Sequence, residues 1–106
     1  MLDFSFAIIQ LTKLAPITPE NKIITDQIIR SSSSVGANYA EANNAASKLD
    51  FRNKIFIAKK EAAETRYWLR LFSKANPDID INTHLDECNQ MIFILQKIVS
   101  TMKNGQ

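Results

Sequence analysis

The sequence predicts an all-α protein, an antiparallel up-down four-helix bundle, on three observations. Apolar residues recur in steps of three and four along most of the chain, the spacing of helices with one covered face. Only two glycines and three prolines punctuate the 106 residues, too few for a sandwich or barrel of many short strands. The prolines and capping residues fall between periodic stretches and divide the chain into four segments. The length allows one domain, residues 1–106.

The first helix is expected over 3–15. Phe4, Ala7, Ile8, Leu11, Leu14 and Ala15 line one face, Asp3 caps the start, and Pro16 ends it. The second is expected over 19–46. Thr18-Pro19-Glu20 supplies an N-cap, a proline at the first helical position and an acid in the first turn. Its seam is Ile24, Ile28, Ser31, Val35, Asn38, Ala42 and Ala45. The run Ser31 to Ser34 admits two readings. One is a flexible linker; the other is a helix approached closely by its neighbours across small residues, with a bend near Gly36. Heptad spacing through the run favours the helix.

The third helix is expected over 48–75, opened by Ser47-Lys48-Leu49-Asp50, which resembles a capping box, and closed by Asn76-Pro77-Asp78. Its seam is Phe51, Ile55, Ala58, Ala62, Thr65, Leu69 and Phe72. The fourth is expected over 84–103, with Leu85, Cys88, Ile92, Leu95, Val99 and Met102 inward. Met91, Ile94 and Ile98 widen that face, so cover on more than one side is expected. Lys103 to Gln106 read as a frayed end. The second and third helices, roughly 40 Å each, need cover from the other two or from another subunit.

Composition excludes several classes. The uncharged runs, Phe4 to Thr12 among them, are far below the twenty or so residues of a membrane span. The start Met-Leu-Asp shows no secretory pattern, and one cysteine suits a reducing cytosol, so a cytoplasmic location without membrane attachment is expected. His84 and Cys88 stand i, i+4, but two ligands do not make a zinc site, and no metal is expected. Glu61-Ala62-Ala63-Glu64 lacks the histidine of a bundle di-iron motif. The two glycines are too far apart to cradle phosphate, and Ser31 to Ser34 have no base close in sequence. The chain is therefore expected to be no enzyme and to need no cofactor.

Charge is informative where it is concentrated. The net charge is +2, yet Lys48 to Lys74 holds eight basic and three acidic residues, a net of +5 against −3 elsewhere. On a helical wheel Lys48, Arg52, Lys59, Arg66, Arg70 and Lys74 fall within roughly 80° of arc. Asp50, Glu61 and Glu64 lie on the far side, and Phe56 and Tyr67 flank the stripe. Such a surface can neutralise phosphates and stack bases. It can equally be a solvated face, and Phe56 and Tyr67 can mark a subunit interface. The alternative function is a protein–protein scaffold that binds no nucleic acid. Asn38 and Thr65 fall on the seams, with Glu41 and Glu61 near the same faces. Buried polar groups need partners, so Asn38 and Glu41 are expected to face Lys60, Glu61 or Thr65 as a register-fixing network.

Two stretches carry a family resemblance: Arg30-Ser-Ser-Ser-Ser-Val-Gly-Ala-Asn-Tyr-Ala-Glu-Ala42, and Phe51-x-x-Lys-Ile-x-Ile-Ala-Lys-Lys-Glu-Ala-Ala-Glu-Thr-x-Tyr-Trp-Leu69. Together they resemble the bacterial 23S rRNA intervening-sequence proteins, which are similar to the accessory variability determinant of diversity-generating retroelements. The resemblance implies an up-down bundle assembled into a ring-like homo-oligomer, typically a pentamer. For the retroelement branch it also implies binding to RNA or DNA and to a reverse transcriptase. It brings no catalytic residues. The mild net charge departs from the retroelement branch.

Overall fold

The computed structural model describes residues 1–104; Gly105 and Gln106, the tip of the expected frayed end, lie outside the described residues. Helices α1 (Leu2–Thr12), α2 (Pro19–Asn43), α3 (Lys48–Ala75) and α4 (Asn82–Asn104) follow one another, and no strand occurs among the described residues. The molecule is a rod of 48 × 21 × 19 Å. Sequential helices pack side by side: α2 and α3 share the longest contact, α3 packs on α4, α1 on α2, and α1 meets α4 to close the circle.

Local chemistry places the ends. Thr18 adopts an extended N-cap conformation and its hydroxyl accepts from the Asn21 N–H at 3.1 Å. Ser47 does the same for the Asp50 N–H at 3.0 Å. Several boundaries differ from expectation. The first helix stops at Thr12, because Leu14 and Ala15 donate to Leu11 and Thr12 in i, i+3 bonds that tighten the chain before Pro16. It also starts at Leu2, so Asp3 sits in its first turn and is not the cap. The second helix ends at Asn43, where the Asn44 N–H turns back to Glu41 and its side-chain amide donates to the Ala40 carbonyl. The fourth starts at Asn82: Asp80 accepts from the Asn82 N–H at 2.9 Å, and Ile81 supplies the first helical carbonyl, to Leu85.

The serine run is helix, continuous through Gly36. Ser31, Ser32 and Val35 are buried. The Ser5 hydroxyl donates to the Ser32 carbonyl at 3.0 Å, and Met1 lies over Gly36. Small side chains thus let α1 sit close on α2. The seams form the core, with Ile8, Ile28, Val35, Ile55, Leu69, Phe72 and Leu95 essentially sealed from solvent. Ile94, expected to widen the covered face of α4, stands 50% exposed.

Candidate nucleic-acid interface

One uninterrupted helix, α3, carries all six cations of the stripe. Lys48, Arg52, Arg70 and Lys74 are exposed, and Lys59 and Arg66 half-buried. Among the described residues none of the six lies within ion-pair distance of a carboxylate. The acids of α3 are directed elsewhere. Arg30 of α2 reaches across to Glu61 at 3.1 Å and to Glu64, and the Trp68 indole N–H donates to Glu64 at 2.9 Å. Further along, Lys54 pairs with Glu41 at 2.7 Å, which holds the Lys54 ammonium above its ordinary value. The flank of α3 toward α2 is thereby neutralised, and the flank toward α4 keeps unpaired positive charge.

The stripe borders α4. Arg66 donates to the Asn89 side-chain carbonyl at 3.1 Å. Antiparallel register then brings Lys59 level with Gln96, about two turns on, and Phe93 lies about one turn past Asn89. Phe93 is exposed, with the Lys97 ammonium 5.4 Å from its ring centre. Asn89, Phe93 and Lys97 were not legible as neighbours of the stripe, because a wheel drawn for one helix does not show which helix lies beside it. Phe56 and Tyr67 are exposed. Tyr67 leans edge-on against Trp68 with ring centres 5.2 Å apart.

The expected polar network does not converge. In an antiparallel pair a step toward the C-terminus of α2 meets a step toward the N-terminus of α3. Asn21 meets Asn76, Ser31 meets Thr65 and Glu41 meets Lys54. Glu41 is therefore about three turns from Thr65. Asn38 bonds within its own helix, to the Ser34 carbonyl at 2.9 Å and hydroxyl at 3.1 Å. Glu61 pairs with Arg30, and Thr65 shares its hydroxyl with Ser31 at 2.8 Å and the Glu61 carbonyl at 2.8 Å. A network that the sequence reading missed closes one end of the bundle. Asn21 and Asn76, both buried, exchange two amide hydrogen bonds of 3.0 and 2.9 Å. Each also donates to a backbone carbonyl, of Pro16 and Phe72.

Cys88 is buried and its thiol donates to the Ala62 carbonyl at 3.3 Å. Burial pushes the thiol up to about 11, partly offset by the Arg66 charge. His84, one turn earlier, faces α1 instead, in a hollow with Phe6, Gln10 and Leu14. Among the described residues no three of His, Cys, Asp and Glu gather as a metal set. None of the described helices is long and apolar enough to cross a membrane.

Fold and surface together define a four-helix bundle with one basic flank and one neutralised flank. The model of the 23S rRNA-intervening sequence protein family matches residues 1–97, and the chain belongs to that family. It is similar to a crystal structure from Bacteroides thetaiotaomicron, described as a protein of unknown function from the S23 ribosomal protein family. Identity is 36%, the match covers 92% of this chain and 93% of that one, and the TM-score is 0.80. No curated protein matches the chain.

Proposed function

We infer that the protein is a non-enzymatic nucleic-acid-binding bundle that engages phosphates through the α3 stripe. The observation that supports this most is the separation of charge on α3. Arg30 engages Glu61 and Glu64, whereas Lys48, Arg52, Lys59, Arg66, Arg70 and Lys74 keep no carboxylate partner among the described residues. Unpaired cations in a row along a rigid helix match a polyanion better than they serve folding. The family name points to RNA as the first ligand to try. The finer forms of this reading are a ring-like homo-oligomer and an accessory role beside a reverse transcriptase. Both rest on the motif resemblance of residues 30–42 and 51–69.

The test is fluorescence anisotropy of a labelled RNA hairpin, with a DNA duplex beside it, across a salt series. Binding should weaken steeply with salt. Arg66→Ala/Arg70→Ala should reduce the slope of log affinity against log salt by about 1.5, since each lost phosphate contact removes about 0.7 to 0.9. No binding at 50 mM salt, or binding indifferent to these variants, overturns the reading. Exposed apolar side chains, Leu49, Phe93 and Ile94 among them, favour the second reading, a protein–protein scaffold. Its mark is association that persists at high salt without RNA.

A further inference from the structure

The α3 stripe is bounded by exposed aromatic rings on both long edges. Along the edge away from α4 stand Phe56 and Tyr67, the latter 60% exposed. Along the α4 edge, Asn89 receives Arg66 at 3.1 Å, and one turn further Phe93 is 62% exposed. Both edges have neighbours that brace a ring. Tyr67 stands edge-on to Trp68, whose indole is tied to Glu64 at 2.9 Å. Phe93 has the Lys97 ammonium 5.4 Å from its ring centre. The two acids of α4, Asp86 and Glu87, lie near its start, and none follows from Cys88 to Asn104. A polyanion on the stripe therefore meets no carboxylate of α4 at the level of Phe93 or beyond.

Shape then selects the form of the polyanion. The stripe runs from Lys48 to Lys74, roughly 39 Å along one helix. That exceeds one turn of duplex, about 35 Å. A duplex strand coils away from a straight row within such a length, so much of the row would face grooves rather than phosphates. A single strand is flexible and can follow the row cation by cation. Its bases also have open faces, which stack on aromatic side chains, whereas paired bases already cover one another. Exposed aromatics beside a row of cations are idle against a duplex and engaged by a single strand. We propose that the stripe binds single-stranded RNA, with phosphates on Lys59, Arg66 and Arg70 and unpaired bases on Phe93 at one edge and Tyr67 at the other. The proposal rests on the phosphate-binding reading of the stripe and adds to it the strandedness of the ligand and the α4 edge of the site.

The test compares the anisotropy of two labelled RNAs across a salt series, an oligouridine of about 16 nucleotides and a duplex of about the same length. Charge alone favours the duplex, whose phosphates are denser, so tighter binding of oligouridine identifies the bases as contacts. Phe93→Ala and Tyr67→Ala should each weaken oligouridine binding about 5- to 150-fold and leave duplex binding unchanged. The salt slope should also stay, since no phosphate contact is lost. Phe93→Trp should retain oligouridine binding, and circular dichroism verifies that each variant folds. Duplex binding as tight as that of oligouridine, or oligouridine binding that ignores both alanine variants, overturns the single-strand proposal and leaves the phosphate reading standing. Absence of binding to both RNAs at low salt overturns the two together.

Discussion

Two buried polar residues show how little freedom the α2–α3 seam leaves. Ser31 and Thr65 face each other with a hydroxyl–hydroxyl distance of 2.8 Å and no solvent access. Thr65→Val and Ser31→Ala should each cost about 1 kcal/mol. The double variant should cost about as much as either single, because it removes both partners together. Chemical denaturation of the four proteins checks this; strict additivity would show that the pair is not coupled. Cys88 gives a pH signature. Its folded value of about 11 lies above the ordinary thiol value of 9.0, so folding favours the protonated thiol. The stability this supplies is present below about pH 9 and is lost as pH rises through 11, a loss on the order of 2 kcal/mol. A Cys88→Ala protein should lack that alkaline decline. In the folded wild type the thiol should also resist alkylating reagents at pH 8, which mass spectrometry reads directly.

At the scale of elements, register depends on a few cross-helix contacts. The Asn21–Asn76 clasp ties the start of α2 to the end of α3 and reaches the Pro16 carbonyl in the preceding turn. Asn76→Ala leaves the Asn21 amide buried without its partner, and should lower stability by about 1–3 kcal/mol. The cap at Thr18 acts on the same end. Thr18→Ala should cost about 1 kcal/mol through the unpaired Asn21 N–H. Thermal melts of both variants check these values, and a Thr18→Ala loss as large as that of Asn76→Ala would mean the clasp adds little. Arg30 works at mid-helix. By pairing with Glu61 and Glu64 it neutralises the side of α3 that faces α2.

Across the whole molecule, the outer surface is divided by helix pair. The α2–α3 side is closed by ion pairs and the α3–α4 side is basic. Removing Arg30, as in Arg30→Ala, should free Glu61 and Glu64 to compete for the stripe's cations. RNA affinity at low salt should then fall even though no cation of the stripe is touched; anisotropy measures it, and unchanged affinity would separate the Arg30 cluster from binding.

Periodicity and capping determined the four helices by themselves, because a covered helical face needs apolar side chains every three to four residues and the chain has few breakers. The same logic placed the six cations on one side of α3. Helix ends were less legible, since Thr12, Asn43 and Asn82 depend on which carbonyls the following turn satisfies. What only the tertiary structure decided is which side chains meet. Asn38, Glu41, Glu61 and Thr65 share the right faces, yet antiparallel register keeps Asn38 and Glu41 of α2 from meeting Glu61 and Thr65 of α3. Asn21 and Asn76 meet across 55 positions of chain, a separation that no local pattern encodes. Packing also set α4 beside the stripe through Arg66 and Asn89, because neighbourhood in a bundle follows from how whole helices bury their faces against one another.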